Sequence, residues 1–177
     1  MGTCYSYCKS IKENKPFMSP MYETVDLEHT TPFIPPITEG TVIKVYDGDT
    51  ITIASKLPYP ESPLYRFQVR LRGIDSPEIK GKTAEEVLAA HNSQKALEDL
   101  ILFTIVKLEN QGVEKYGRII ADVYSAEGLH INKWLLDNGY AISYDGKTKK
   151  PYIAGKTYVK PSMRSSVSYV KSNKTNE

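Results

Sequence analysis

The sequence predicts a small, mainly β domain with some α, a five-stranded Greek-key barrel carrying two or three helices. Three observations predict it. Short runs of β-branched residues with period-two alternation begin near residue 39, one long stretch switches to helical spacing after the third run, and two further alternating runs follow. The chain has 177 residues, enough for one ordinary domain with a continuous core and a modest tail at either end.

Residues 1–38 carry Pro16, Pro20, Pro32, Pro35 and Pro36 without periodicity and read as a disordered arm. Order begins with Val42 to Tyr46 and Thr50 to Ala54, which flank Asp47-Gly48. Asp-Gly between two alternating runs is a hairpin signal. Tyr65 to Ile74 gives a third strand, sending Phe67, Val69 and Leu71 to one face and Arg70 and Arg72 to the other. After Pro77, Thr83 followed by Glu86 fits a capping box, and Val87, Ala90, Leu97, Leu100 and Ile101 recur at helical spacing up to Leu102. Phe103 to Glu109 and Arg118 to Ser125 read as two more strands, joined by a polar loop from Asn110 to Gly117. A short helix over Ile131 to Asp137 is closed by Gly139 after Asn138. The expected domain covers 39–145, leaving 146–177 as a basic C-terminal extension. This order is that of an OB-type barrel, and other small barrels share it.

Hydrophobic content of 40% and charged content of 25% are those of a soluble globular protein. No apolar run approaches the roughly 20 residues that span a bilayer, which excludes an integral helical membrane protein. A net charge of +2 is too small to indicate a nucleic-acid partner. From Gly146 onward, however, there are eight Lys or Arg and one acid, Glu177, a pattern that suits a solvated end or a phosphate-attracting arm. Cys4 and Cys8 are the only cysteines and both precede the domain, so it holds no internal disulfide or thiolate metal site. His29, His91 and His130 lack metal-ligand spacing. The N-terminus has no apolar leader, so an intracellular protein is expected. Met1-Gly2-Thr3-Cys4-Tyr5-Ser6 fits myristoylation at Gly2, with palmitate on Cys4 or Cys8. Two chains and the nearby Lys9, Lys12 and Lys15 would hold the protein at a membrane surface. A chance match to so short a pattern competes with that reading.

Three clusters carry chemistry. Asp47-Gly48-Asp49-Thr50 sits at the hairpin. Asp47 has an ordinary turn duty, whereas Asp49 leaves the turn with none and makes a second carboxylate for a cation. The stretch Arg70 to Glu78 leads from an outward arginine to Asp75, Ser76 and, beyond a stiffening Pro77, Glu78. Carboxylates and a backbone carbonyl at a strand end are hard oxygen donors, suited to calcium or magnesium rather than zinc. Surface salt bridges are the plain alternative for the same residues. Lys115-Tyr116-Gly117-Arg118 places another guanidinium at the start of a strand.

Taken together, in order and spacing, these clusters resemble the staphylococcal nuclease family over roughly residues 40 to 145. The resemblance implies that Asp49, Asp75 and the carbonyl of Ser76 bind calcium, with Asp47 in support. It implies that Glu78 orients or deprotonates the attacking water and that Arg70 and Arg118 hold the phosphate. Lys115 and Tyr116 would sit by a terminal phosphate, and Tyr140 or Tyr144 would stack on a base. The activity implied is calcium-dependent hydrolysis of DNA and RNA, single strands preferred, by a monomer. No Ser, Cys or His nucleophile is needed for such chemistry.

The sequence departs from the family pattern in three places. Ser76 stands for threonine, the basic loop after the glutamate is replaced by Ile79 to Val87, and the C-terminal region, with Pro151 and Pro161, shows no helical period. The competing reading is an inactive binding module that keeps the barrel. Retention of Asp49, Asp75, Glu78, Arg70 and Arg118 argues against it.

Overall fold

The computed structural model describes residues 26–146; the N-terminal acylation motif with Gly2, Cys4 and Cys8, and the extension beyond Gly146, lie outside them. The chain divides at Phe33 and Ile34. In the first unit, His29 donates its backbone N–H to Asp26 Oδ1 at 2.9 Å, and its ring lies 2.6 Å from the same oxygen. Residues 34–38, grouped with the arm on sequence grounds, belong to the second unit. There Ile37 is buried in the core, and Leu108 N donates to Thr38 O at 2.8 Å.

The second unit is a closed five-stranded barrel with two helices, an OB-type fold. Its strands are β1 (Glu39–Val45), β2 (Thr50–Ser55), β3 (Tyr65–Leu71), β5 (Ile105–Val113) and β6 (Ile119–Ser125), in the barrel order β1-β2-β3-β6-β5. β3 and β6 run parallel and the other barrel pairs antiparallel, with β1 meeting β5 to close the ring. Closure removes the exposed sheet edges an open sheet would present. Alternation does the rest. Val42, Val45, Ile51, Ile53, Val69, Leu71, Val106, Ala121 and Val123 point inward, joined by Leu97 and Ile101 from α1 (Ala84–Ile101) and Ile131 and Leu135 from α2 (Ile131–Asp137).

Helix α1 starts where the sequence indicates. Thr83 Oγ1 accepts from Glu86 N at 3.1 Å, while Glu86 Oε2 accepts from Lys82 N at 2.9 Å. The glutamate thus reaches one residue further back than in a simple capping box. Helix α2 ends at Asn138, with Gly139 in the left-handed region beyond it.

Three expectations change in the structure. The third strand does not run to Ile74. It stops at Leu71, turns at Arg72-Gly73 with Gly73 at φ +73, and resumes as β4 (Ile74–Asp75), which pairs with β7 (Ile142–Ser143). The left-handed φ suits glycine and swings the chain out of the barrel. The fourth barrel strand begins at Ile105, because Phe103, at φ +61, and Thr104 form the turn out of α1. Much of the predicted loop after Glu109 is strand, continuing to Val113 through a register shift that places Asn110 at φ +49.

The hairpin between β1 and β2 also departs from a tight Asp-Gly turn. Gly48 does not adopt a positive φ. It is required by proximity instead, since a Cβ there would lie 2.0 Å from Ser93 Oγ and 2.8 Å from Ser76 Cβ. Gln94, next on α1, donates to Val45 O at 3.3 Å and Tyr46 O at 3.1 Å. The helix therefore holds the hairpin against the start of the chain segment that follows β4. Gly48→Ala should cost about 1–3 kcal/mol in urea unfolding by overpacking, with Ser93→Ala in the same background recovering part of the loss. Full stability in Gly48→Ala alone would contradict the contact.

Candidate active site

The hairpin and the β3–β4 turn meet because of strand register. Thr50 pairs with Arg70 across β2 and β3, and Leu71 N donates to Asp49 O at 2.8 Å. Asp49 and Arg70 therefore leave neighbouring strands side by side. Arg70 Nη1 donates to Asp49 Oδ1 at 2.5 Å, and Nη2 donates to Asp75 Oδ1 at 3.2 Å and to Ile74 O at 3.4 Å. One guanidinium thus joins two carboxylates that come from different elements. Both acids are only 2% exposed. The second oxygen of Asp49 accepts from Ser76 N at 2.9 Å, and Thr50 Oγ1 donates to the first at 3.0 Å. Asp47 Oδ1 accepts from Asp49 N at 3.1 Å, fixing the turn.

Burial raises the Asp49 carboxyl, and the Asp47 charge raises it further; Arg70, the Ser76 N–H and Thr50 pull the other way, leaving it at about 6 against an ordinary 3.8. Burial pulls the Arg70 guanidinium down, but the charges of Asp49 and Asp75 outweigh it and hold that group above its ordinary value. Two buried carboxylates, with Asp47 beside them, face a single guanidinium, so the acids outnumber the cation that joins them. A divalent cation would remove that deficit. Among the described residues no three His, Cys, Asp or Glu side chains cluster as ligands. A cation here would rely on Asp49, Asp75, a backbone carbonyl and water, an all-oxygen set that fits a hard ion.

A cleft of about 510 Å³ opens beside Arg70, lined also by Arg72, Glu114, Lys115, Tyr144 and Asp145. Pairing of β4 with β7 puts Tyr144 there: its N donates to Gly73 O at 2.9 Å, and its ring centroid lies 6.0 Å from the Arg70 guanidinium carbon. Tyr140 takes a different place, stacked on Trp134 at 5.5 Å and packed against the core. Of the two tyrosines singled out for base stacking, only Tyr144 lines the cleft. Lys115 lies 4.8 Å from the ring of Tyr116, which is 72% exposed. Arg118 donates through Nε to Glu114. Glu78 is exposed and lines a second cleft with Asp47.

Several supporting residues escaped the sequence reading. Asn132, 3% exposed, accepts from Val123 N at 2.9 Å and donates to Arg72 O at 2.9 Å and Ala121 O at 3.3 Å, tying α2 and β6 to the turn after β3. Ser93, fully buried, donates to Tyr140 O at 2.8 Å. Both had a signal: each is a polar residue on the buried stripe of a helix, Ser93 between Ala90 and Leu97, Asn132 beside Ile131 and Leu135. Glu114 had one too, standing four residues before Arg118.

The fold and site define an OB-type barrel with an arginine-bridged acid pair beside a polar cleft of mixed charge. Residues 68–161, just over half of the chain, match the family described as staphylococcal nuclease homologue, and the chain belongs to that family. The match starts after the hairpin, so Asp47 and Asp49 reach the site through the fold. Among relatives, the probable staphylococcal-like nuclease CAN4 of Oryza sativa subsp. japonica is 34% identical over 89 residues, 50% of this chain and 17% of that protein. The succinoglycan biosynthesis protein ExoI of Rhizobium meliloti is 27% identical over 121 residues, 66% of this chain and 58% of that protein. An uncharacterized endonuclease of Escherichia coli is 26% identical over 117 residues, 64% and 66% of the two chains. The matched stretch makes up 17% to 22% of the length of three such Oryza relatives.

The raised Asp49 carboxyl has a sign that can be measured. Its folded value, about 6, exceeds the ordinary 3.8, so its contribution to stability is full below the lower value and is lost as pH rises through the upper one. In chelator, the wild type should lose stability relative to Asp49→Asn across that window, by a few kcal/mol at about 1.4 per pK unit. Urea unfolding at several pH values reads the difference, and a wild-type advantage growing with pH would refute the burial account.

Proposed function

We propose that this chain is a calcium-dependent phosphodiesterase that hydrolyses DNA and RNA, preferring single strands and acting as a monomer. The observation that carries the reading is the Arg70 fork, which joins Asp49 and Asp75 at the edge of a cleft that also holds Arg72, Lys115 and Tyr144. Asp49, Asp75 and the Ser76 carbonyl would hold the ion. When bound, calcium supplies a fixed double charge against the phosphoryl oxygens.

The remaining chemistry belongs to the protein. Arg70 keeps N–H groups beyond those donated to the two acids and to Ile74 O, and these would meet a phosphate in the cleft. Glu78 takes a proton from the attacking water as oxygen closes on phosphorus. The bond to the leaving sugar oxygen breaks in line, and that oxygen is protonated from solvent. Arg118, held through Nε by Glu114, turns its outer nitrogens to the charge that develops. Tyr144 offers a face to any base, consistent with low sequence preference. Attachment to a membrane surface through acylation of Gly2 and Cys4 of an intracellular protein belongs to the same proposal. Intact mass after eukaryotic expression shows or excludes the acyl group.

Purified protein incubated with single-stranded DNA and calcium should cleave it, and chelator should stop the reaction. Absence of chelator-sensitive cleavage would favour an inactive binding module. Glu78→Ser should lower kcat by about 10²–10⁴ while leaving unfolding curves largely unchanged. Arg70→Lys should lose activity almost as severely as Arg70→Ala, roughly several hundredfold, because a point charge cannot span two acids and a phosphate. Near-normal turnover in Arg70→Lys would remove the fork from the mechanism.

A further inference from the structure

A strand cut internally has nucleotides on both flanks of the broken bond. A second cleft of about 420 Å³ is lined by Lys44, Tyr46, Asp47, Glu78, Lys80 and Gln94, among others, and shares no lining residue with the first. Both are tied to the acid pair, the first through Arg70, which bonds Asp49 and Asp75. Asp47 on the second accepts from Asp49 N at 3.1 Å, and Glu78 follows three residues after Asp75.

Tyr46 distinguishes this cleft from an ordinary polar surface. Its side chain is exposed, the residue 58% accessible, while its backbone is pinned on both sides: N donates to Thr50 O at 2.8 Å, and O accepts from Gln94 Nε2 at 3.1 Å. Lys44 Nζ lies 5.7 Å from the ring centroid. A single exposed aromatic is common on protein surfaces. One on a fixed backbone, with an ammonium beside it and Asp47 and Glu78 lining the same cleft, suits a stacking platform with phosphate contacts beside it. Lys44 and Lys80 also offset the charges of Asp47 and Glu78, so the cleft does not repel an incoming phosphate.

Resting on the phosphodiesterase reading, we propose that this cleft is a second nucleotide subsite. It takes the strand on the far side of the scissile phosphate from Arg70, with Tyr46 stacked on a base and Lys44 and Lys80 on phosphates.

The test compares a single-stranded oligonucleotide with a mononucleotide nitrophenyl diester, which has no nucleotide on the second flank. Tyr46→Ala should lose about tenfold more kcat/KM on the oligonucleotide than on the diester, and should bind a labelled phosphorothioate strand about tenfold more weakly. Tyr46→Phe should restore both. Lys44→Ala and Lys80→Ala should each reduce the salt dependence of strand binding, lowering the slope of log K on log salt by about 0.7. Equal losses on the two substrates, or unchanged affinity for the phosphorothioate strand, would overturn the subsite. If the wild type cuts neither substrate, the phosphodiesterase reading fails, and the affinity measurements still decide the subsite.

Discussion

The structure depends on one guanidinium placed between two carboxylates. Asp49 and Asp75 are almost fully buried, and two buried like charges repel unless a cation lies between them. Arg70 meets both with one fork, which lysine could not do. The result is a site that is incompletely neutralised by the protein itself. The carboxyl of Asp49 stays raised despite the contact, chiefly because it is buried and next because of the Asp47 charge.

Much of the fold serves to hold that fork. The β2–β3 register sets Thr50 opposite Arg70, and the glycine turn after Leu71 brings Asp75 back beneath the same guanidinium. Helix α1 secures the hairpin through Gln94 and the close approach of Gly48 to Ser93. Helix α2 secures the turn through Asn132, and β7, by pairing with β4, delivers Tyr144 to the cleft wall. These supports are hydrogen bonds to main-chain carbonyls, a main-chain pairing and one close packing contact rather than surface ion pairs. The second cleft extends this economy: the hairpin that supplies Asp47 and Asp49 also presents Tyr46 and Lys44.

The sequence by itself determined the barrel, the main helix with its Thr83 cap and the second helix, and it singled out Asp49, Arg70 and Asp75, which the structure brings into contact. Those features are local: alternation, helical spacing, a capping residue and three short clusters are each written within a few residues. Other features could not be read locally. Whether Tyr140 or Tyr144 reaches the cleft depends on β7 pairing with β4, a contact between segments far apart in the chain. Gly48 looked like a turn glycine, and only the packing of α1 shows that it makes room for Ser93. Asn132 and Ser93 looked like breaks in apolar stripes until their distant partners were in view. The tertiary structure alone decided these points, because a buried polar group is explained by what it bonds to, and Arg72 O for Asn132 and Tyr140 O for Ser93 lie tens of residues away in the chain.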